Sequence, residues 1–485
     1  MAASRSQTEV VSKGSVLSRR QLVALALSSF IPAVGIASFP VLLIGTAGYG
    51  SWVAALISAI AGFAIGRSII VFARRYVVSG SLSTYVGEVF GPWAKAAAGA
   101  ALALGYVGQL MCVIVLFSMY ASSFLIGIGY EWAGEPTTMV ALILAVAIIS
   151  AVVAWRGLDT SVKTAVALTV ISVPLLLVVS FASAWSTGLE LPKQLSLDGS
   201  SVPGIFIGLA AGAAWLASFE SAASLATETS DPKKNVPAAV MAWPKVLGPL
   251  YILVTVLQVP GLMKTGEQLE AGMSAPAALA VNAGLGTWFG QITDLLLAIS
   301  VFAAAIGFMN YASHVTKSFA ASGMIPRSLG KNSPRFGTPY RAIILNTVLA
   351  AGILTATMIV KPSSIFAMYT IVATLTVYFW VLPYVLICAG AVALLIREKV
   401  LTASTVLWSA VGIATMSWLL INSFVDPPES PVDIMTYVAI ITVAVLGAVF
   451  YLGGRRYSKR IDGNATPVQD GPQPDTDLLT ADEQA

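Results

Sequence analysis

Apolar runs of about 20 residues recur along this chain between positions 22 and 454, separated by short polar connectors. An α-helix needs a run of that length to cross the hydrocarbon core of a bilayer. Only 10% of the 485 residues are charged and the mean hydropathy is +0.83, whereas a soluble globular chain carries roughly 25% charged residues. The sequence therefore predicts an all-α integral membrane protein, embedded in the lipid bilayer, with about twelve transmembrane helices.

The predicted spans are numbered 1 to 12 in chain order. Their approximate bounds are 22–49, 51–73, 92–126, 136–156, 159–185, 203–226, 237–262, 289–322, 339–360, 364–395, 403–423 and 432–454. Together they form one transporter domain, 22–454, in which repeat one covers about 22–185, repeat two about 203–395, and two further helices about 403–454. Residues 1–21 form a polar N-terminal tail, and residues 455–485 have the composition of a disordered C-terminal tail.

Basic residues predict the orientation of the spans, because Lys and Arg near helix ends stay on the cytoplasmic side. Of the 27 Lys and Arg residues, only Lys193, Lys264 and Lys361 lie in the alternate connectors that this rule places outside. We therefore expect a multi-pass protein of the cell (cytoplasmic) membrane with both termini in the cytoplasm. The net charge of +4 comes from the cytoplasmic connectors, so no nucleic-acid partner is expected. The sequence indicates no particular oligomeric state.

Two predicted spans contain residues that usually interrupt a helix, and they occupy matching places in the chain. Span 1 carries Pro32, Gly35 and Pro40 near its middle. Span 6 carries a second set between positions 205 and 226, namely Gly208, Gly212, Ser218 and Glu220, with Trp215 and Phe219 among them. Irregular backbone at membrane depth is tolerated where it lines a cavity. Paired interruptions at the start of two repeats predict a transporter site; the alternative is that proline and glycine only kink packed helices.

Interrupted helices expose backbone groups that suit the common part of an amino acid. The N–H groups at a half-helix start, with the positive end of the helix dipole, suit a carboxylate. Free carbonyl groups at the opposite half-helix end suit an ammonium group. Such a site binds an amino acid without a charged side chain of its own.

The stretch 218–238 contains Ser-Phe-Glu at 218–220, Ala-Thr-Glu at 226–228 and Asp-Pro-Lys-Lys-Asn-Val-Pro-Ala at 231–238. This order and spacing resembles the helix-6 region of the amino acid–polyamine–organocation (APC) permease family. Ala-Val-Gly-Ile at 33–36, followed by Pro40, is similar to the family's helix-1 motif. The resemblance covers roughly 20–455. It implies a LeuT-like 5+5 inverted repeat, with helices 1 and 6 broken and a central site between helices 1, 3, 6, 8 and 10.

The resemblance also implies roles for individual residues. The substrate carboxylate would bind to the backbone of Ala33, Val34 and Gly35. The amino group would contact Ala217, Ser218 and Phe219, with Trp215 or Phe219 as an aromatic lid. Two positions depart from the family pattern: Val34 stands where a hydroxyl residue or glycine is usual, and Ser218 replaces a frequent glycine. The side chain of the substrate is therefore not predicted.

Glu220 and Ser172 are the candidates for coupling or gating. Glu220 is the acid placed in the middle of the bundle, and burial raises the pKa of a carboxyl group toward the physiological range. It could carry a coupling proton, or it could cap the broken helix or pair with a basic residue. Ser172 lies near the place where some proton-coupled members of the family carry a lysine. Its hydroxyl could help to bind sodium, or it could only pack.

Four other charged or titratable residues fall within the spans. Arg67 and Lys245 are expected to extend along the helix surface toward the cytoplasmic face, and Asp294 near the outer start of span 8 is expected to be solvated. His314, near the cytoplasmic end of span 8, is expected to have a structural or interfacial role.

These features favour a permease that transports amino acids by alternating access, with proton symport as the expected mode. A polyamine or organic-cation transporter and an amino-acid exchanger are the nearest alternatives, and a membrane sensor that binds substrate without transport is another. No enzyme is expected, because no nucleophile–base set, phosphate loop or metal cluster appears. No cofactor is expected beyond a coupling ion, either a proton or sodium.

Overall fold

A computed structural model describes residues 17–29, 32–77, 81–157, 159–360 and 364–462, and this part of the chain is helical as predicted. An isolated β-bridge joins Leu17 to Thr229. The α-helices are α1 Arg19–Ser29, α2 Pro32–Ala47, α3 Ser51–Ala73, α4 Ser81–Phe90, α5 Pro92–Gly127, α6 Pro136–Arg156, α7 Asp159–Thr187, α8 Leu191–Ser196, α9 Val202–Gly212, α10 Pro232–Val240, α11 Gly248–Leu262, α12 Gly266–Glu270, α13 Ala275–Asn282, α14 Thr287–Ala321, α15 Tyr340–Val360, α16 Ile365–Arg397, α17 Ala403–Val425 and α18 Ile434–Asp462.

Eleven helical stretches in the described residues are long and apolar enough to cross a membrane. The first, Pro32–Ala73, is 42 residues long and contains both α2 and α3. A turn at Gly48–Gly50 separates these two helices. Gly48 has φ +49°, and a Cβ atom there would lie 2.8 Å from the Gly199 carbonyl oxygen, so only glycine fits this turn. The architecture thus agrees with the expected multi-pass bundle, and the inverted repeat itself stays a prediction.

Three features of the connectors and ends differ from the predicted spans. Short helices that were not predicted occupy several connectors, including α12 and α13 between spans 7 and 8. The segment of span 7 changes from α-helix to a π-helical turn at Trp243–Leu247. The last helix, α18, continues to Asp462, eight residues beyond the expected end of span 12.

Proline 40 does not interrupt its helix, contrary to the prediction. Proline at position i leaves the carbonyl at i−4 without its usual donor, and here the carbonyl of Ile36 accepts a hydrogen bond from Gln258 Nε2 at 3.0 Å. The same solution recurs below Pro260, where Gln194 Nε2 donates to the Val256 carbonyl at 3.0 Å. In each helix a glutamine from another element thus supplies the hydrogen bond that the proline cannot make, because backbone carbonyl groups inside a membrane need a donor. The junction between α1 and α2, residues 30 and 31, lies outside the described residues.

Span 6 is broken, but not at the glycines that were expected to break it. Gly208 and Gly212 lie within α9, where added Cβ atoms would meet Leu43 of α2. They therefore let α9 pack closely on α2. The interruption follows α9: a 3-10 turn covers Ala213–Trp215, and Ser218 adopts a left-handed conformation with φ +66°. The chain then continues as the 3-10 segment Phe219–Glu228.

Candidate functional site

A cavity opens beside the break that follows α9. It is lined by Gln109, Cys112, Val113, Leu116, Ala214, Trp215, Phe308 and Tyr369. These residues come from α5, the broken segment, α14 and α16, which correspond to predicted spans 3, 6, 8 and 10. The cavity contains about 310 Å³ of space when the solvent at its open mouth is counted.

The cavity wall is mainly apolar and carries no Asp, Glu, Lys or Arg among its lining residues. Two polar groups are fixed by contacts behind the wall. Gln109 Nε2 donates to the Ala214 carbonyl at 2.8 Å, which ties α5 to the broken segment. Cys112 Sγ lies 3.6 Å from Thr376 Oγ1 of α16. The cavity wall is therefore uncharged and carries a few polar atoms whose orientation is fixed by these contacts.

Ala33, Val34 and Gly35 form the first turn of α2 and are buried. At a helix start the first backbone N–H groups have no partner within the helix. The three residues do not line the cavity. Further along α2, Ser38 lies close to Tyr369 of the cavity wall, which connects α2 to the site.

A tyrosine of α11 stands directly against the first turn of α2. If Gly35 carried a Cβ atom, that atom would lie 2.8 Å from Tyr251 Cε1 and closer still to its hydroxyl oxygen. The Tyr251 ring packs against Phe39, Trp215 and Trp243, with ring centroids 5.4, 6.5 and 6.1 Å away. Its hydroxyl is buried and has no hydrogen-bond partner among the described residues.

The predicted amino-group contacts lie behind Trp215 and not in the cavity wall. Ala217, Ser218 and Phe219 are buried, and Phe219 packs against Trp243 at 5.8 Å and Tyr384 at 5.9 Å between ring centroids. Of the two residues expected to serve as an aromatic lid, Trp215 lines the cavity and Phe219 supports the segment from behind.

Glu220 belongs to a hydrogen-bonded unit that spans the break. The Tyr384 hydroxyl of α16 donates to Glu220 Oε2 at 2.9 Å and accepts from the Ser218 backbone N–H at 3.0 Å. Glu220 is fully buried, and its Oε1 has no partner within the described part of the chain. One tyrosine thus joins the residues on both sides of the turn to another helix.

Ser172 pairs with a second hydroxyl. Its Oγ lies 2.8 Å from Ser300 Oγ, and this contact joins α7 to α14 in the fully buried interior. Within the described ranges, no group of three or more His, Cys, Asp or Glu residues is placed to hold a metal ion. Any cation bound near Ser172 would therefore depend on hydroxyl and carbonyl oxygens.

The expectation that Asp294 is solvated was wrong. Asp294 is 1% exposed, and its carboxylate accepts hydrogen bonds from Ser123 and Ser274. Position near the end of a span does not make a residue solvent-accessible when a connector folds over it, as α13 does here. Arg67, Lys245 and His314 all have exposed side chains on the surface of the bundle.

Several residues of the site were missed in the sequence. The wall residues Gln109 and Phe308, and the supporting residues Tyr251, Gln258 and Tyr384, carry no local motif. A polar residue in an apolar span, such as Gln109 or Gln258, was the one available signal.

The sequence is similar to those of known membrane proteins. A family model described as amino acid permease matches residues 17–447. The chain belongs to the amino acid permease family. This match extends over all the helices that build the cavity and places the permease in the APC superfamily, a family of transporters and not of enzymes.

The individual relatives share less than 30% sequence identity with this chain. The permease is 24% identical over 306 residues to the branched-chain amino acid permease BcaP of Bacillus subtilis, covering 61% of this chain and 65% of BcaP. It is 29% identical over 181 residues to the putrescine transporter PotE of Haemophilus influenzae, covering 37% and 40%. It is 23% identical over 322 residues to a D-serine/D-alanine/glycine transporter of Escherichia coli, covering 64% and 66%. The matched part thus spans two thirds or less of each relative.

Proposed function

We propose that this permease is a secondary active transporter of neutral amino acids with apolar side chains, working by alternating access across the cytoplasmic membrane. The observation that carries the proposal is the cavity beside the break. Its wall is apolar and uncharged, and it includes Ala214 and Trp215 of the turn that interrupts span 6, where backbone groups leave the regular helix. The names of two relatives, a branched-chain amino acid permease and a D-serine/D-alanine/glycine transporter, are compatible with such a substrate.

The charged ends of the substrate are assigned to backbone and hydroxyl groups. The N–H groups in the first turn of α2, with the positive end of its dipole, suit the carboxylate, and the unpartnered Tyr251 hydroxyl beside Gly35 can donate to the same group. Carbonyl groups released where α9 ends suit the ammonium group. The substrate side chain would then face Val113, Leu116 and Phe308.

The polyamine alternative fits the cavity less well. A diamine carries two ammonium groups, and a buried charge needs an opposite charge or several hydrogen bonds. Among the described residues no carboxylate lines the cavity, and Glu220 is hydrogen-bonded to Tyr384 behind it. Similarity to a putrescine transporter covers only 37% of this chain.

Proton symport is the proposed coupling mode, with Glu220 as the proton carrier. Its buried carboxyl group has one oxygen bound to Tyr384 and one without a hydrogen-bond partner among the described residues. A proton on that free oxygen would cancel the buried charge at the break. Sodium coupling at the Ser172–Ser300 pair is the competing mode.

Uptake into proteoliposomes tests substrate and coupling together. Labelled leucine, valine, alanine, arginine, glutamate and putrescine are supplied with and without an inward proton gradient, and then with a sodium gradient. We expect gradient-driven uptake of the neutral apolar amino acids. Leu116→Trp, which fills the cavity, should abolish uptake, whereas the exposed Leu349→Trp on α15 should not.

The other outcomes separate the competing functions. Uptake of putrescine or arginine in preference to leucine would contradict the proposed substrate class. Uptake only into vesicles preloaded with substrate would indicate an exchanger. Binding of leucine without any transport would indicate a membrane sensor and overturn the transport function.

A further inference from the structure

The last helix, α18, lies on the outside of the bundle and presents an apolar stripe to the bilayer. Four of its apolar side chains are each more than half exposed, namely Ile441, Val445, Val449 and Leu452. Their spacing of three or four residues places them on one face of the helix. The opposite face packs on the bundle, where Phe450 contacts Phe319 of α14 with ring centroids 5.3 Å apart. The stripe therefore faces lipid.

Two arginines continue this stripe where the helix leaves the bilayer. Arg456 follows Leu452 by one turn on the same face, and Arg455 stands beside it in the chain; both side chains are exposed. From Ile434 to Leu452 the helix rises about 27 Å at about 1.5 Å per residue, which is close to the thickness of a hydrocarbon core of roughly 30 Å. The two arginines therefore fall at the level of the phospholipid headgroups.

A third arginine comes from a distant part of the chain, the connector between α14 and α15. The Arg327 guanidinium carbon lies 4.4 Å from the centroid of the Tyr457 ring, and Arg327 also donates a hydrogen bond to the Tyr457 hydroxyl. The same ring fills the space beside Gly323, where a Cβ atom would overlap it. Tyr457 thus fastens α18 to the connector and holds Arg327 against the turn that carries Arg455 and Arg456.

No acidic residue offsets this positive charge in the two segments that carry it. The sequence contains no Asp or Glu at positions 322–339 or 434–461. Within the described residues, none of the three arginines forms an ion pair. Guanidinium groups bind phosphate oxygens through paired hydrogen bonds of matching geometry. The surface therefore suits an anionic phosphate group.

We propose that Arg327, Arg455 and Arg456 bind the headgroup phosphate of an anionic phospholipid whose acyl chain lies along the apolar stripe of α18. These three arginines are called the headgroup site below. Basic clusters beside a transmembrane helix attract anionic headgroups. A zwitterionic phospholipid carries an ammonium group of its own, which the arginines repel. The site requires neither substrate nor transport, so it goes beyond the function proposed above.

The chain itself contains another candidate for this surface, an acidic C-terminal segment. Residues 463–485 include five Asp and Glu residues and no Lys or Arg. The position of Arg455 and Arg456 favours the lipid, because both continue a stripe of exposed apolar side chains. A phospholipid covers that stripe and reaches the arginines at once, whereas a polar segment gains nothing from the apolar side chains.

Native mass spectrometry of the full-length permease counts bound lipids directly. The protein in detergent is titrated with phosphatidylglycerol or with phosphatidylcholine of the same acyl chains. We expect the parent to bind phosphatidylglycerol about tenfold more tightly. The double variant Arg327→Gln, Arg456→Gln should lose most of this preference. Added salt should weaken the preference of the parent, since it screens exposed charges.

Arg335→Gln is the matched control. Arg335 is exposed and belongs to the same connector as Arg327, so the change in net charge is the same for each substitution. Its guanidinium group lies 5.1 Å from the Phe336 ring, which packs against Trp155 of α6 and not against α18. This variant should keep the full preference for phosphatidylglycerol.

Tyr457→Leu tests whether the position of Arg327 matters as well as its charge. All three arginines remain, but Arg327 loses the ring and the hydroxyl that hold it. The preference for phosphatidylglycerol should fall about threefold, as expected for loss of a cation–π contact at an exposed site. If Tyr457→Leu does not fold, Tyr457→Phe removes the hydroxyl alone and should give a smaller loss in the same direction.

Equal affinity of the parent for the two lipids would overturn the headgroup site and leave the surface to the acidic segment 463–485. An equal loss in Arg335→Gln and in the double variant would show that net charge alone attracts the lipid, which also overturns the site. Failure of the proposed function appears differently, as absence of leucine uptake while the preference for phosphatidylglycerol remains.

Discussion

The hydroxyl group of Tyr251 occupies the position at which any side chain on residue 35 would begin. The ring packs against Phe39, Trp215 and Trp243, which restrict its movement. Gly35 is therefore required for packing between α2 and α11, in addition to its expected part in binding substrate. A bulky substitution at position 35 would disturb helix packing and substrate binding together. Smaller changes at positions 251 and 35 separate the two effects.

Tyr251→Phe should raise stability while it weakens binding. The hydroxyl is buried and has no hydrogen-bond partner in the part of the chain that the structure describes. Such a group costs about 1–3 kcal/mol, so its removal should leave the melting temperature equal or higher. If it donates to the substrate carboxylate, leucine affinity should fall about tenfold, which equals about 1.4 kcal/mol. Equilibrium binding and thermal unfolding of the purified protein measure both. Unaltered affinity would remove Tyr251 from the site.

Gly35→Ala should lower stability and binding together. The added methyl group overlaps Tyr251, and overpacking a close-packed interior costs about 1–3 kcal/mol. Gly45→Ala on the same helix is the control, since a Cβ atom there meets nothing within 4 Å. Comparable melting temperatures for the two variants would show that the Tyr251 ring can move.

Gln258→Leu and Pro40→Ala should compensate each other. Gln258→Leu leaves the Ile36 carbonyl without a donor beneath Pro40, at a cost of about 1–3 kcal/mol. Pro40→Ala restores a backbone N–H that can donate to that carbonyl, so the double variant should be more stable than Gln258→Leu alone. Thermal unfolding of the four proteins gives the coupling energy. A parallel cycle with Gln194→Leu and Pro260→Ala tests the second glutamine, and simple additivity in both cycles would contradict the explanation.

Glu220→Gln should separate coupling from binding. The amide oxygen can still accept from Tyr384, so the turn after α9 should keep its shape, but the side chain can no longer ionise. We expect loss of accumulation driven by a proton gradient, with exchange of internal for external leucine retained. Tyr384→Phe is the comparison, because it leaves the Ser218 N–H unpaired and should instead lower stability and both activities. Undiminished gradient-driven accumulation in Glu220→Gln would assign the proton to another residue.

Glu190 should link the connectors that follow α2, α7 and α11 throughout the neutral and mildly acidic pH range. It accepts from Tyr49 at 2.7 Å and pairs with Lys193 at 2.8 Å and Lys264 at 3.2 Å. These partners, Lys193 first, lower the pKa of Glu190 from 4.5 to about 2. Because the folded-state pKa is lowered, its contribution is present above about pH 4.5 and is lost as the pH falls toward 2.

The melting-temperature difference between the wild type and Glu190→Gln should accordingly be the same at pH 8 and pH 5, and smaller at pH 3. Differential scanning fluorimetry in detergent measures it, with Glu267→Gln, whose carboxylate has no ion pair among the described residues, as the control. A difference that already disappears between pH 8 and pH 5 would contradict the lowered pKa.

The sequence was most informative where one local rule decides the outcome. Apolar length predicted the multi-pass bundle, and the resemblance at 218–238 located the interruption of span 6. The break was confirmed after α9 at the predicted Ser218, which adopts the left-handed conformation, whereas Gly208 and Gly212 lie within the helix and allow close packing.

The rest depended on contacts between distant parts of the chain. Pro40 was expected to break its helix, and only the position of Gln258, more than 200 residues away, explains why it does not. Asp294 was expected in water because it lies near the predicted outer start of span 8, and the short helix α13 that covers it was not predicted. Cavity residues such as Gln109 and Phe308 become neighbours only when their helices pack.

The uncharged cavity wall, on which the proposed neutral substrate rests, also bears on what an electrical recording of this permease would measure. A neutral amino acid carries one positive and one negative charge, so its passage moves no net charge across the membrane. Moving one elementary charge across a membrane potential of 100 mV changes its free energy by about 2.3 kcal/mol. For a neutral amino acid, the potential would therefore drive only the coupling ion. The steady current divided by the flux of labelled leucine would therefore give the number of ions per substrate without any correction for the protein.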